Sequence, residues 1–413
     1  MSSGLKFAGV ILALLFGTFA TAVAQEQALK IGFLTPKSGP LAGPGKQMED
    51  GVRYFLNERN NILAGRKIEL IVADTAGQPA MARSKAQELV ERDQVQVIIG
   101  PLATTELLAI DDYIKEAKVP LISPSALAED VTQRNVNPWL LRATASTGQI
   151  VHPLGDYAAN AGKYKRVATI TTDWAYGYEA AAGFQRVFED NGGKVVQKIW
   201  VPLKVSDFAA YITQIKLDAD AVFASFSGAS ATGFIRQYRE YGLKGKLPLL
   251  ATQSTVDESL LKDMGDDAIG VTSSGIYSAA IDTPTNKAYV AGFSKAFGVD
   301  PGFYSTGAYV AGLFLEQALK TTQGKTEDKP ALMKALRGAK LADSPRGPLA
   351  IDEYGNPLCD IYIRKAERVG DRIQNTTVKV YKDQSQFWTF DPKEFLANPV
   401  YSRDFPASRF LQQ

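Results

Sequence analysis

Hydroxyl-bearing residues follow two neighbouring apolar runs in the first half of the chain. Thr104 comes shortly after the run at residues 95–100, and Ser125 comes shortly after the run at residues 119–123. Hydroxyl groups and the free backbone N–H groups at the start of a helix can together hold an anion. The spacing therefore predicts a site for a carboxylate or a similar small anion. Two ordinary strand-to-helix loops with routine Ser and Thr caps are the alternative.

The elements that must position these residues are strands alternating with helices. The run at residues 95–100 is short and continuously apolar, as in strands buried on both faces. A helix follows it, with Thr104 or Thr105 as the predicted N-cap, and ends before Pro120. Because parallel strands end at a common edge, we expect the two hydroxyl corners to lie together at the carboxyl edge, where open α/β folds bind ligands.

The alternation continues along the chain in two series. Further strands are predicted at 29–35, 67–73, 139–142, 167–171, 194–201, 220–225, 247–252, 359–364 and 377–381, and helices at 46–60, 81–92, 207–217, 231–241, 284–297, 304–321 and 330–337. Small-residue crossings are predicted at 143–148, 270–277 and 346–352, and a polar tail ends the chain. The pattern predicts an α/β fold of two Rossmann-like lobes with parallel sheets, joined by a hinge of three crossovers.

A Gly/Pro-rich stretch at residues 36–45, which includes Pro44, follows the first predicted strand. It is not a phosphate-binding loop, because Gln47 stands where that motif needs Ser or Thr and Pro40 stands where it needs its first Gly. We predict a loop that lines a cleft with its backbone.

The N-terminus has the pattern of a signal peptide. Lys6 precedes an apolar run at residues 7–19, and Ala22-Val23-Ala24 matches the small-x-small cleavage pattern. The run is too short to span a membrane. We therefore predict cleavage after Ala24 and export.

The composition argues against catalysis and against nucleic-acid binding. The formal net charge is +2, and the chain has one histidine, His152, and one cysteine, Cys359. No nucleophile elbow or metal-binding motif is found; the nearest approach to an elbow, at Ser230, lacks its last Gly. We predict no enzyme, no cofactor and no metal. His152 is expected on a helix surface or as a satisfied core residue, and Cys359 as a buried apolar residue.

Polar and aromatic residues recur after the predicted strands, which would direct them toward one cleft. These residues are Thr104, Ser125, Tyr176, Ser227 and Gln253, with Trp174 two positions before Tyr176. An aromatic cleft with a few placed polar groups is typical of small-ligand sites. The alternative for Trp174 and Tyr176 is simple packing within a loop.

Six stretches, in this order and spacing, resemble the type I periplasmic solute-binding proteins of the leucine/isoleucine/valine-binding family: LKIGFLTPKSGPLAGPG, VIIGPLATT, VPLISPSA, WLLRATAS, DWAYGYE and GPLAIDEYGNP. The resemblance spans nearly the whole mature chain. It implies a monomeric periplasmic receptor whose lobes close over a ligand that a membrane permease and an ATPase then import. The expected organisation is a signal peptide at 1–24, a first lobe at 25–144 plus 276–347, a second lobe at 145–275 plus 348–395, and a tail at 396–413.

The resemblance also implies roles for individual residues. The family's carboxylate contacts fall at Thr104, beside Ala103, and at the corner formed by Ser125, Ala126 and Leu127. Its contacts across the cleft fall near Tyr176, Ser227 and Gln253. Ala103 stands where some members have a disulfide cysteine, Leu127 replaces a small polar residue, and Ser227 replaces a bulkier aromatic one.

One departure bears on the ligand. Amino-acid binders of this family have an acidic residue at the position of Gln253, which pairs with the ligand's ammonium group. A neutral Gln cannot do so, unless Asp257 or Glu258 takes that place. Arg142 and Arg346 are further candidate charges, for which structural ion pairs are the alternative.

The hypothesis is therefore a carboxylate with an apolar or aromatic body, such as a benzoate- or cinnamate-type acid. A branched-chain or other hydrophobic amino acid is the first alternative ligand. A ligand sensor on the same fold, reporting to a partner protein, is the second alternative function.

Overall fold

The structure is a computed structural model that describes Met1 and residues 28–411. The signal peptide predicted at residues 1–24, with its cleavage after Ala24, lies outside the described residues apart from Met1. Within the described part of the chain, every helix is too short or too polar to cross a lipid bilayer.

Fifteen strands are present in the described residues. They are β1 (Leu29–Thr35), β2 (Ile62–Leu63), β3 (Arg66–Asp74), β4 (Val97–Ile99), β5 (Leu121–Ser123), β6 (Leu140–Arg142), β7 (Arg166–Thr172), β8 (Lys194–Val201), β9 (Ala221–Ser225), β10 (Leu249–Thr252), β11 (Thr272–Gly275), β12 (Lys340–Leu341), β13 (Leu349–Ile351), β14 (Pro357–Val369) and β15 (Arg372–Gln384).

Twelve α-helices alternate with these strands over the same residues. They are α1 (Ala42–Asn57), α2 (Pro79–Gln87), α3 (Thr104–Ala117), α4 (Thr147–Asn160), α5 (Ala175–Asp190), α6 (Ala209–Ile212), α7 (Ala229–Glu240), α8 (Glu258–Met264), α9 (Pro284–Phe297), α10 (Phe303–Thr321), α11 (Lys329–Arg337) and α12 (Pro392–Ala397). A π-helical turn, Glu88–Arg92, extends α2.

The strands form two sheets, which confirms the predicted α/β fold with two lobes. The first sheet has the order β2-β3-β1-β4-β5-β6, and the second has the order β12-β13-β14-β11-β10-β9-β7-β8, with β15 paired to β14. In the first sheet, β3, β1, β4, β5 and β6 run parallel to their neighbours. In the second sheet, β11, β10, β9, β7 and β8 do so. The chain passes between the sheets after β6, after β11 and after α11. Strand β12, which falls within residues 276–347, pairs with β13 of the second sheet.

The hydrophobic core is divided among the faces of the two sheets. Leu34, Ile98 and Ile110 belong to a cluster between the first sheet and helices α2 and α3. Ala224 and Phe234 belong to a second cluster, formed by the second sheet and helices α6, α7 and α8. The largest cluster runs from the first sheet to the second. Burial on both faces explains why these strands are continuously apolar.

The prediction of a loop through residues 36–45 was wrong at its C-terminal end. Helix α1 begins at Ala42, so Pro44 and Gly45 lie in its first turn and not in a loop. Proline is well suited to a first turn, because its missing N–H would have no acceptor within the helix there. Gly45 is required, since a side chain there would overlap the carbonyl of Pro36.

The helix predicted at residues 207–217 was also wrong, because only α6 forms there. The hydrogen bonds tighten in its second half: Gln214 N–H donates to the Tyr211 carbonyl at 3.2 Å, and Ile215 N–H donates to the Ile212 carbonyl at 3.1 Å. Such i→i+3 bonds are those of tight turns and do not extend an α-helix. The turns bring the chain back to the start of β9.

The chain end is less polar than predicted. Phe387, Phe395 and Tyr401 are buried in an aromatic cluster that covers α5. His152 belongs to the core, as the second of the two predictions has it, but it is satisfied only in part: its Nε2 lies 2.8 Å from the Tyr401 hydroxyl, and its Nδ1 has no hydrogen-bond partner among the described residues. Burial lowers the pKa of His152 to about 3, so this histidine is neutral. Cys359 is buried, as predicted.

Candidate functional site

A cavity of about 30 Å³ lies between the carboxyl ends of the two sheets. This volume is far below the ~300–1,000 Å³ typical of small-molecule pockets, so the two walls must move apart for a ligand of that size to enter. The cavity is lined by residues from both lobes: Leu41, Leu102, Ala103, Thr104, Ser125, Leu127, Trp174, Tyr176, Ser227, Ser254, Phe303 and Tyr304. Seven of the ten predicted site residues are among them; Pro44, Ala126 and Gln253 are not.

The first wall of the cavity is the start of α3. The predicted N-cap at Thr104 or Thr105 was wrong, because the cap residue is Ala103 and Thr104 is the first helical residue. The side chain of Glu106 explains the shift: its Oε2 accepts a hydrogen bond from the Ala103 N–H at 2.8 Å. The Thr104 hydroxyl is therefore not used to cap its own helix. It accepts only a long bond, 3.4 Å, from the Leu127 N–H.

The corner after β5 lies against the same wall. The Ser125 hydroxyl donates to the Leu102 carbonyl at 2.9 Å and so ties the two corners together. Gly307 of α10 approaches the Pro124 carbonyl so closely that no side chain would fit there. The Ala126 side chain is buried outside the cavity, and its carbonyl accepts from Arg142 at 2.7 Å. Ala126 does not line the cavity, and only its backbone, between the lining residues Ser125 and Leu127, lies close to it.

Backbone donors remain free at this wall. The N–H groups of Thr104 and Ala126 donate to no acceptor within residues 28–411. The first N–H groups of a helix have no acceptor within that helix. The hydroxyl and N–H of Thr104 are donors at the positive end of a helix of 14 residues, and the Ala126 N–H lies in the neighbouring corner after β5.

The second wall is built by loops of the other sheet. Trp174 and Tyr176 stand where β7 turns into α5; the turn is tight because the Trp174 N–H donates to the Thr172 carbonyl at 2.9 Å. The Tyr176 hydroxyl lies 2.8 Å from Ser254 Oγ, and burial raises the pKa of Tyr176. Ser227 follows β9, so three different strands of one sheet contribute to this wall.

Gln253 does not line the cavity, because its side chain is buried in the second crossing. Its Oε1 accepts a hydrogen bond from the Ile276 N–H at 2.9 Å. The cavity residue is the next one, Ser254. Gln253 and Ser254 are the two middle residues of the tight turn that follows β10, closed by the Thr255 N–H bond to the Thr252 carbonyl at 3.0 Å, so neighbouring side chains leave the turn in different directions.

The acidic residues considered beside Gln253 are engaged elsewhere. Asp257 caps α8 by accepting from the Ser259 N–H at 3.1 Å, and it also accepts from the Phe303 N–H at 2.7 Å. Glu258 pairs with Arg364 at 3.0 Å, and both side chains are buried. Neither Asp257 nor Glu258 lines the cavity.

The two candidate arginines are structural. Arg142 donates to the carbonyls of Ala126 and Ala128, and Arg346 donates to the carbonyls of Ala143 and Thr144. No charged residue thus lines the cavity among the residues that the structure describes. Over the same residues, no group of three or more His, Cys, Asp and Glu side chains could hold a metal ion.

Five cavity residues were not predicted from the sequence: Leu41, Leu102, Ser254, Phe303 and Tyr304. Leu41 and Leu102 lie within stretches assigned to the cleft, so they could have been named. Phe303 and Tyr304 begin α10, and only the packing of that helix on α1 brings them to the cavity. Pro44 lies at the cleft mouth, where Gly228 of the second lobe approaches it.

Two α/β lobes with an uncharged cavity between the carboxyl ends of their sheets define a small-molecule-binding protein of the two-lobed solute-binding class. The model of a protein family described as periplasmic binding protein matches residues 28–371. The chain belongs to this family, and within it to the type I proteins of the branched-chain amino acid binding group. This is a class that binds substrates and does not catalyse reactions.

Known relatives cover nearly the whole chain. The Leu/Ile/Val-binding protein homolog 6 of Brucella melitensis biotype 1 is 30% identical over 382 residues, which is 91% of this chain and 97% of that protein. A solute-binding protein of an ABC transporter from Rhodopseudomonas palustris BisB5, solved in complex with 3,4-dihydroxybenzoic acid, is 35% identical, with a TM-score of 0.83 over 87% of this chain and 98% of that one. A further solute-binding protein from R. palustris, solved with benzoate, is 28% identical, with a TM-score of 0.82 over 87% and 98% of the two chains. The chain is thus a solute-binding protein of the ABC transporter type.

Proposed function

We propose that this protein is the receptor of an ABC importer for a small aromatic carboxylate that lacks an α-ammonium group. The observation that carries the proposal is a cavity without charged lining residues, bordered on one side by hydrogen-bond donors and on the others by apolar and aromatic side chains. The proposal also rests on the ten site residues predicted above, of which seven line this cavity.

The donors at the start of α3 suit a carboxylate. The Thr104 hydroxyl and the N–H groups of Thr104 and Ala126 can each donate to a carboxylate oxygen. Hydrogen bonds to a charged acceptor are each worth ~1.5–3 kcal/mol, and the helix dipole adds to them. No arginine or lysine is needed at such a site.

The remaining walls do not suit an amino acid. An α-ammonium group in this cavity would meet hydroxyl oxygens but no carboxylate, because Asp257 and Glu258 are engaged in other contacts. A buried charge without a partner costs several kcal/mol. Leu102, Leu127 and Phe303 instead offer surface for an apolar body. The benzoate and dihydroxybenzoate bound by the two R. palustris proteins are ligands of this chemistry.

Further parts of the proposal come from the family. We propose export to the periplasm after cleavage at Ala24, a monomer, and delivery of the ligand to a membrane permease and its ATPase. The lobes are proposed to comprise residues 25–144 plus 276–347 and residues 145–275 plus 348–395, followed by the tail at 396–413. We also propose that the chain catalyses no reaction and binds no metal, cofactor or nucleic acid.

A second candidate function is the binding of a branched-chain amino acid, which the name of the Brucella relative favours. In that case the neutral hydroxyls of Tyr176 and Ser254 would have to replace the missing carboxylate. Sensing for a partner protein is a third candidate, distinguished by whether permease and ATPase genes or a kinase gene lie beside this one.

Isothermal titration calorimetry on residues 25–413 tests the proposal. The titrants are benzoate, 4-hydroxybenzoate and cinnamate, compared with L-leucine, L-isoleucine and L-valine. Tight binding of at least one aromatic acid, with no detectable heat from the amino acids, is the expected result. Tight binding of leucine or valine with no response to the aromatic acids would refute it. Recovery of each acid unchanged after prolonged incubation checks that no reaction occurs.

A further inference from the structure

The indole of Trp174 carries a donor in the second wall of the cavity that the protein itself does not use. Its Nε1 is buried and makes no hydrogen bond within the part of the chain that the structure describes. Trp174 also lines the cavity. A buried N–H without an acceptor destabilises the fold, so groups of this kind in native proteins call for an explanation.

The backbone at Trp174 fixes where the indole lies. Trp174 is the residue before α5, with extended torsion angles of −160° and 174°, and its own N–H is bound to the Thr172 carbonyl. Gly177 packs on the same carbonyl with no space for a side chain. The ring packs partly against the main hydrophobic cluster. The indole is thus held in the second-lobe wall, on the other side of the cavity from the start of α3.

A second polar group, the hydroxyl of Ser227, lies in the same wall. Ser227 is half-buried, and its side chain forms a hydrogen bond with the Tyr304 hydroxyl. Burial raises the pKa of Tyr304, and the hydrogen bond to Ser227 acts in the opposite direction. Tyr304 belongs to the first residues of α10 and is itself buried. A hydroxyl such as that of Ser227 can both donate and accept. Besides the Tyr176 and Ser254 hydroxyls, which pair with each other, the second wall therefore offers the fixed indole donor and the adaptable Ser227 hydroxyl.

These groups are not needed by the ligand's carboxylate. The Thr104 hydroxyl and the N–H groups of Thr104 and Ala126 already provide three donors for it on the first-lobe side. A plain hydrocarbon ring edge would leave the indole N–H unpaired after closure. An oxygen on the ring would accept from the indole, and a phenolic proton would in turn reach a hydroxyl oxygen.

We propose that Trp174 and Ser227 select aromatic acids that carry a ring hydroxyl on the side away from the carboxylate. The Trp174 Nε1–H donates to the phenolic oxygen, and the phenolic hydroxyl donates to Ser227 Oγ. This inference rests on the proposed function and narrows the substrate class from aromatic carboxylates to hydroxylated ones.

Calorimetric titration of the wild type and of Trp174→Phe tests the inference. The titrants are benzoate, 3-hydroxybenzoate, 4-hydroxybenzoate and 4-methoxybenzoate. The wild type should bind the better hydroxybenzoate about tenfold more tightly than benzoate, the size expected for one or two hydrogen bonds. Trp174→Phe should reduce that preference to about twofold, because it should weaken the binding of the hydroxybenzoate more than the binding of benzoate.

Two further variants complete the design. Trp200→Phe is the matched control. Trp200 lies in β8, the edge strand of the second sheet, and does not line the cavity, so this variant should leave every Kd unchanged. Ser227→Ala should reduce the hydroxybenzoate preference without altering the fold, so the test survives if Trp174→Phe is unstable. 4-Methoxybenzoate, which can accept but not donate, should keep the effect of Trp174 and lose that of Ser227.

The outcomes separate the two proposals. An equal loss for benzoate and hydroxybenzoate in Trp174→Phe would place the indole on the carboxylate and overturn the inference. A wild type that binds benzoate and hydroxybenzoates equally well would also overturn it, and would leave the proposed function intact. A wild type that binds none of the aromatic acids would refute the proposed function itself.

Discussion

Replacing Thr104 with valine should remove the only side-chain donor that the proposal gives to the ligand's carboxylate. The substitution keeps the shape of the side chain and exchanges its hydroxyl for a methyl group. In the structure the hydroxyl has one weak partner, the Leu127 N–H at 3.4 Å. The folded protein should therefore lose less than ~1 kcal/mol of stability.

The effect on binding should be larger than the effect on stability. A hydrogen bond to a charged acceptor contributes ~1.5–3 kcal/mol, and 1.4 kcal/mol corresponds to a tenfold change in Kd. Thr104→Val should thus weaken the binding of 4-hydroxybenzoate by about 10- to 100-fold. The backbone N–H groups of Thr104 and Ala126 remain, so binding should not be abolished.

Calorimetry supplies the Kd, and thermal melting without ligand supplies the stability. Thr105→Val is the matched control, because Thr105 is the next residue of α3 and does not line the cavity. Its Kd should stay within twofold of the wild type. An unchanged Kd in Thr104→Val, or equal losses in the two variants, would show that the carboxylate is not held at the start of α3.

Three further perturbations test other parts of the structure. Burial, together with the nearby Glu129, raises the pKa of Glu179 from 4.5 to about 8. Between pH 4.5 and 8 the folded chain keeps a proton that the unfolded chain releases, so the free energy of unfolding should fall as the pH rises, by at most ~1.4 kcal/mol per pH unit for this group. The free energy of unfolding of Glu179→Gln, measured by urea titration at several pH values, should depend less on pH than that of the wild type. Asp257→Asn weakens the bond from the second lobe to the Phe303 N–H; calorimetry should show a Kd raised about three- to tenfold, and an unchanged Kd would mean that this bond does not support closure. Gly307→Ala should push α10 away from the Pro124 carbonyl and cost ~1–3 kcal/mol in thermal melts, whereas an unchanged melting temperature would contradict the close packing.

Local pattern was enough to predict most of the elements. The predicted bounds of β1, β8 and α9 are those of the structure, because each combines a clear apolar pattern with a Gly, Pro or polar boundary. The start of α3 was misplaced by one or two residues. The buried carboxylate of Glu106 accepts a hydrogen bond from the Ala103 N–H, so Ala103 is the cap residue and the expected Thr is not. The helix predicted at residues 207–217 was wrong because tight turns follow α6. The composition of this segment suits a helix, but a helix this short is easily replaced by turns.

The site was predictable where it follows a strand and not where it depends on tertiary packing. Thr104, Ser125, Tyr176 and Ser227 were found from the rule that parallel strands end at one edge. Gln253 was placed in the cavity and Ser254 was not, because the tight turn after β10 decides which of the two side chains faces the cavity, and the sequence does not show the conformation of that turn. Tyr304 has no local signal, since α10 reaches the cavity only by packing on α1, where Gly51 lies against the Ser305 carbonyl.

A crystal structure with 4-hydroxybenzoate tests the central claim most directly. The account predicts the carboxylate within hydrogen-bonding distance of the Thr104 hydroxyl and of the Thr104 and Ala126 N–H groups, with the ring between the lobes and its hydroxyl toward Trp174. A carboxylate turned toward Trp174, or a bound ligand outside this cavity, would contradict it.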